Sequence, residues 1–300
     1  MSILSRTAQP AWLPKPSPLL VLAKAVALVI IVALVLFPFL VVVSTSLAPQ
    51  DEVIDKGGWV IWPDRITVQA YQDILAGGIV TRATMVSAGV TIVGTALSLV
   101  CTTLLAYALA RPGVFGGRPV LLMVLFTFLF TPGMIPTYLV VQAMGLLDSY
   151  SALIFPVLVN AFNLVVLRGF FQGIPTDLFE AARIDGAGEL RVLRKIVMPL
   201  SKAAIAVIGL FYAVSYWNSF FTAVLYLNDS SKWPIQVVLR QYVIEGSPLA
   251  GSIETQEAQL SAVNSIQMAV VVLAMLPIVV IYPFIQRHFV RGVLTGAIKA

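Results

Sequence analysis

Six stretches without a single Asp, Glu, Lys, Arg or His divide this 300-residue chain: 25–50, 83–110, 119–147, 149–167, 203–228 and 258–286. Each is close to or longer than the ~20 apolar residues that cross the hydrocarbon core of a bilayer. Lipid cannot satisfy exposed backbone donors and acceptors, so each stretch is expected to be helical. Composition agrees. Apolar residues make up 59% of the chain, charged residues 11%, and the mean hydropathy is +0.94. A soluble fold of this size has too little polar surface to cover such a core. The lone Cys101 excludes a disulfide scaffold.

The fold class expected is therefore an all-α integral membrane protein with six transmembrane helices, near 25–46, 84–109, 120–143, 150–168, 203–226 and 262–286. Sorting charge by side gives the orientation. With the N-terminus in the cytoplasm, 14 of the 19 basic residues fall inside and ten of the 14 acidic residues fall outside. The positive-inside rule then places both termini in the cytoplasm. The net charge of +5 is a topological signal and does not point to nucleic acid. Segments 47–82 and 227–257 become external loops, with Trp59, Trp62 and Tyr71 near the far interface. The first window is too long for a signal-peptide core and lacks a cleavage site, so it reads as a retained helix.

Inside the second window Ser87, Thr91 and Thr95 share one helical face, while Gly94, Ser98, Thr102 and Ala106 share another. Small residues at this spacing let helices approach closely in lipid. Pro38, Pro132, Pro136, Pro156, Pro277 and Pro283 are candidate bends. The windows hold no intramembrane carboxylate, histidine or basic residue, unlike a typical ion-coupled transporter. Catalytic sets are missing too: His288 is the single histidine, Cys101 has no partner, and no GxxxxGK[ST] loop occurs. An ion-coupled secondary transporter and a membrane enzyme are thereby disfavoured, and energy for active transport must come from another protein.

One cytoplasmic segment is both long and polar: residues 168–202, RGFFQGIPTDLFEAARIDGAGELRVLRKIVMPLSK. Pro175 ends the preceding helix. Asp177 is expected to cap a new one, with Glu180 three residues on in a capping box. Leu178, Ala181, Ala182 and Asp185 follow at helical spacing, and Gly186 supplies the stop. Leu178 and Phe179 offer apolar anchors, and the small Ala181 and Ala182 leave room for an approaching surface. A second helical stretch runs from Glu189 to Met198 and leads to Pro199.

Glu180-Ala181-Ala182, Gly186, Ile196 and Pro199 resemble the E-A-A-x3-G-x9-I-x-L-P loop of ABC importer permeases, with Met198 in place of Leu. Leu193, where many members carry an aromatic, and Ala203, where proline often follows, are further departures. Thr131–Tyr138, Gly145–Ser149, Arg168–Phe171, Tyr216–Asn218, Phe289–Val293 and Gly296–Lys299 extend the resemblance from about residue 22 to the C-terminus. They are similar to the carbohydrate branch, to the maltose-type second permease, and above all to relatives that accompany uptake of large or uronic-acid oligosaccharides such as alginate or pectin fragments.

The resemblance implies the type I importer permease fold, with 174–199 as the coupling loop. It implies that Asp177, Leu178, Phe179, Glu180, Ala181, Ala182, Asp185, Gly186, Ile196 and Pro199 meet a cleft of the ATP-hydrolysing subunit, with Gly296 to Lys299 adding a contact. The implied partners are a second homologous permease, two copies of a cytoplasmic ATP-binding subunit and an external substrate-binding protein, in a bacterial cytoplasmic membrane. The chain would bind no cofactor, ATP and Mg2+ belonging to the ATPase. A sugar path needs uncharged hydrogen-bonding groups and aromatic faces, and the candidates are Asn160, Asn163, Tyr216, Trp217, Asn218 and Gln267. The runner-up substrates are an amino acid, a peptide or a phosphonate.

Overall fold

In the computed structural model, residues 17–241 and 265–283 are described, and every regular element among them is helical. Three helices are long and apolar enough to cross a membrane: Pro18–Ser46, Ile79–Ala110 and Ser265–Pro283. Two bent pairs join them. Ser151–Val157 meets Ala161–Gln172 at 52°, and Glu189–Leu200 meets Lys202–Trp217 at 85°. If each bent pair is one span, the count reaches five. The third window departs from the single helix expected: it forms Gly117–Leu129 and Met134–Ala143, broken around Pro132 and Gly133. Proline cannot continue the ladder, and Gly133 takes a left-handed φ of 82° that favours glycine.

The first helix begins at Pro18, well before residue 25, because Ser17 caps it. Its side chain accepts the Leu20 N–H at 3.3 Å, and proline occupies the first turn. Lys24 is accommodated in that helix, exposed, with an aliphatic stem that lets its ammonium reach water. Only Val41, Thr45 and Ser46 of this helix are buried, so it lies outside the core of the chain. Its C-terminal end is tied down: Thr45 Oγ1 accepts the Val60 N–H at 3.0 Å, and the Ser46 and Tyr71 hydroxyls meet at 2.7 Å. Beyond it, Glu52 accepts from Lys56 at 2.7 Å and from the Asp64 N–H at 2.8 Å, folding the following loop on itself. Trp59 and Trp62 of that loop are exposed.

The core is built on the 79–110 helix, which packs against the 202–217 and 161–172 helices. The small-residue face read from sequence is the one used. Gly94, Ser98, Thr102 and Ala106 are all buried. Ser98 Oγ meets the Tyr216 hydroxyl at 2.8 Å, and Thr102 Oγ1 meets the Tyr212 hydroxyl at 2.7 Å. Unpaired, these hydroxyls would cost roughly 1–3 kcal/mol each. Tyr212 also accepts the Asn160 backbone N–H at 2.9 Å, exactly where the fourth window bends, so the bend adds no orphan donor there. On the other face Ser87 accepts the Ile235 N–H at 2.8 Å, while the Thr91 and Thr95 hydroxyl oxygens are buried without a partner among the described residues.

At the end of this core that holds Arg82, Asp148 clamps two loops. Its backbone adopts a left-handed φ of 57°, and its N–H reaches the Tyr226 carbonyl at 2.8 Å. Its carboxylate accepts the backbone N–H groups of Asn228 and Asp229, each at 3.1 Å, and the Lys232 ammonium at 2.7 Å. The hydrogen bond from Lys232, helped by the Asp229 N–H, holds the Asp148 carboxyl below the usual carboxylate range.

Two outcomes follow. A Cβ at position 94 would stand 2.8–2.9 Å from the Tyr216 ring, which is itself buried. Gly94→Ala is expected to destabilise the protein by about 1–3 kcal/mol, read as a lower unfolding midpoint in detergent. A lowered carboxylate stabilises above its unfolded value of about 4, and that contribution is lost as pH falls through the native value. Asp148→Asn, which keeps the shape and tolerates the left-handed backbone, should lower the midpoint at pH 7 and converge on the parent as the medium is acidified past that range.

Candidate coupling site and polar cavity

At the opposite end of the 79–110 helix, the polar loop forms the helix Thr176–Ile184. Its start differs from the sequence expectation. Pro175 is the N-cap, no side chain caps the helix, and the capping box between Asp177 and Glu180 is not formed. Capping requires a residue outside the helical region, and the fixed φ of Pro175 starts the helix one turn position too early for Asp177 to serve. Asp177 lies instead inside the first turn, where a carboxylate complements the helix dipole. The C-terminal expectation holds. Gly186 has a φ of 71°, its N–H reaches the Arg183 carbonyl at 3.0 Å, and the Ala187 N–H reaches the Ala182 carbonyl at 2.8 Å. This paired pattern is a Schellman stop.

The helix presents two different faces. Asp177, Leu178, Glu180, Ala181, Ile184 and Asp185 are exposed, Ile184 to 87% of its surface. Ala182 is buried against the bundle and Phe179 is half-buried. The two alanines are thus divided, since only Ala181 leaves room for another surface. Phe179 anchors the helix inward, beneath the Arg111 guanidinium 4.2 Å from its ring centroid. Ile196 is half-buried and Pro199 is exposed. Ile196 belongs to a π turn, Leu193–Val197, that ends shortly before Pro199. Pro199 has no N–H for the carbonyl four residues back, and the widened turn precedes the point where that bond would fall.

Sequence reasoning missed the side chains that hold this helix. Glu189 accepts from the Tyr107 hydroxyl and from Arg111, the latter at 3.2 Å, and lies 3.7 Å from Arg183. Tyr107 lies in the last turn of the 79–110 helix and Arg111 is its C-cap, four residues on, a spacing visible in sequence. Their partner some 80 residues later is not. Arg168 fixes the same end by donating to the Leu109 carbonyl at 2.9 Å.

The six path candidates are only partly brought together. Asn160, Asn163 and Tyr216 line a cavity of ≈ 400 Å3 with Phe162, Phe211 and Ser215. Asn160 also caps the 161–172 helix, accepting the Asn163 N–H at 3.1 Å, and the Tyr216 hydroxyl is engaged by Ser98. Trp217 faces elsewhere, its indole donating to the Ala274 carbonyl at 2.8 Å and tying the 202–217 helix to the last helix. Asn218 is exposed, near Gln236. Gln267 is buried on the last helix. A second cleft of ≈ 600 Å3, mostly apolar, runs along Arg82, Met85, Gly89 and Val93 beneath Tyr150 and Phe155. Gly296 to Lys299, expected to add a contact, lie outside the described residues.

A bent-helix bundle with a short helix laid across one end is the architecture of an importer permease, and comparison with known proteins places it. Residues 102–295 match the profile of the binding-protein-dependent transport system inner membrane component family, and the chain belongs to that family. It is a transport subunit of the ABC importer type. The chain is 48% identical over 263 residues to the polygalacturonan/rhamnogalacturonan transport system permease protein YtcP of Bacillus subtilis (strain 168), covering 87% of this chain and 92% of the relative. It is 44% identical over 267 residues to the protein LplC of the same organism, covering 89% and 90%. Its fold matches a chain from the crystal structure of a bacterial ABC transporter involved in the import of the acidic polysaccharide alginate. The TM-score is 0.84 at 31% identity, covering 92% of this chain and all of the other.

Proposed function

We propose that this chain forms half of the translocation pathway of an ATP-driven importer for oligosaccharides, acidic ones of the pectin or alginate kind. The observation that carries the coupling role is the exposed face of Thr176–Ile184, where Glu180 stands beside Ala181 and the apolar Leu178 and Ile184. An exposed acidic residue with small and apolar side chains beside it suits a cleft with a basic group at its base. The substrate class is supported by relatives whose names specify polygalacturonan and alginate, and by the cavity in which two asparagine side chains meet aromatic rings. No arginine or lysine lines that cavity, so a uronate's charge is met by the other permease or the binding protein.

The working complex pairs the chain with a second, homologous permease, two ATP-binding subunits and an external binding protein, with both termini in the cytoplasm as the charge distribution indicates. Six spans result if the two helices of the third window cross as one unit. The binding protein delivers substrate to the outer mouth. ATP closes the paired ATPases, the coupling helix moves with them, and the membrane helices re-orient. The closed ATPases shift the equilibrium because they bind one cavity state better than the other. Glu180→Lys places like charge against the basic group. It is expected to leave the complex folded while lowering binding-protein-stimulated ATP hydrolysis about tenfold or more in liposomes; unchanged stimulation would remove the coupling assignment.

A further inference from the structure

We infer that Glu189 and Arg111 form the link through which the coupling helix drives the membrane core, and that the element driven directly is the 79–110 helix. This rests on reading Thr176–Ile184 as the coupling helix. It adds the route that the force takes inside the chain.

Two covalent routes leave that helix, and both are interrupted. Toward the N-terminus, the turn at Gly173, Ile174 and Pro175 separates it from the 161–172 helix. Toward the C-terminus the chain passes the Gly186 stop, the π turn at Leu193–Val197 and the 85° bend at Ser201 before the 202–217 helix begins. Rigid displacement is lost wherever the helical ladder is broken.

The lateral route has no such break. Phe179 and Arg183 lie one turn apart on the coupling helix and share a face. Phe179 lies under the Arg111 guanidinium, and Arg183 lies 3.7 Å from Glu189. Glu189 commits its two carboxylate oxygens to Tyr107, in the last turn of the 79–110 helix, and to Arg111, the residue that caps its C-terminus. Attachment at two points one turn apart resists rotation as well as sliding. Arg111 is the hinge pin common to both halves: its side chain is only 11% exposed and touches Phe179, Tyr107 and Glu189 at once. The same 79–110 helix carries the Gly94, Ser98 and Thr102 face against Tyr212 and Tyr216, which border the polar cavity. Motion delivered at Tyr107 and Arg111 therefore reaches the cavity through one continuous helix.

The test uses the complete complex, both permeases with two ATPases and the binding protein, in liposomes. Bound ATPase, stimulated hydrolysis and substrate imported per ATP are measured together. Glu189→Gln and Tyr107→Phe each weaken one attachment without enlarging a side chain. Both are expected to keep the ATPase bound and hydrolysis stimulated, while import per ATP falls about fivefold or more. Arg111→Lys, which keeps the charge but loses the planar stack on Phe179, should fall less than Arg111→Gln. Import per ATP at the parental value in both Glu189→Gln and Tyr107→Phe would overturn the link. Release of the ATPase would overturn it as well, making the cluster a support for docking. Should Glu180→Lys leave stimulation intact, the coupling-helix reading fails on its own terms, independently of these ratios.

Discussion

The hydroxyl pairing between the 79–110 and 202–217 helices is the interaction on which the rest of the molecule depends. Lipid offers no driving force for helix association comparable to the hydrophobic effect in water, so close packing and internal hydrogen bonds must supply it. Gly94 lets the Tyr216 ring approach, and the Ser98 and Thr102 hydroxyls then pair with those of Tyr216 and Tyr212. Tyr212 extends the pairing to the backbone of Asn160, where the fourth window bends. The contact that holds the core thus also shapes the cavity wall. Asn160, Asn163 and Tyr216 line that cavity because this seam brings them together.

The two ends of the core carry different chemistry. At the Arg82 end, Asp148 draws in two loops through backbone donors and Lys232. At the other, Arg111 and Glu189 hold a short helix whose outer face remains exposed. A clamp that satisfies its own charges suits a stationary rim. A helix with a buried inner face and an exposed Glu180 and Ile184 suits a docking surface. The six windows carry no Asp, Glu, Lys, Arg or His between these ends. On the proposed reading, energy enters from one end, through the exposed helix.

Much of this was legible in sequence, because lipid imposes simple rules. The second uncharged window forms one long helix, its Gly94–Ser98–Thr102–Ala106 spacing forms the packing face, and Gly186 stops a helix. What was hidden depended on contacts distant in the chain. Nothing around residue 107 announces Glu189, and nothing around residue 98 announces Tyr216. The break between Leu129 and Met134 was suggested by Pro132 but not its extent. The cap was misassigned because Asp177 fits the capping-box spacing while Pro175 determines where the helix starts. Trp217 looked like a sugar platform by residue type, yet its indole is committed to Ala274. Residue type showed which groups could line a path; the seam decided which of them line the cavity.

The central claim is that transport is powered from outside this chain, through its loop, and not by an ion held within the membrane. The direct measurement is uptake of labelled oligogalacturonate into liposomes containing the complete complex and its binding protein, with proton and sodium gradients set independently of internal ATP. Uptake is expected to continue with ATP when ionophores have collapsed both gradients, and to cease without ATP however steep the gradients are. Accumulation driven by a gradient alone would contradict it.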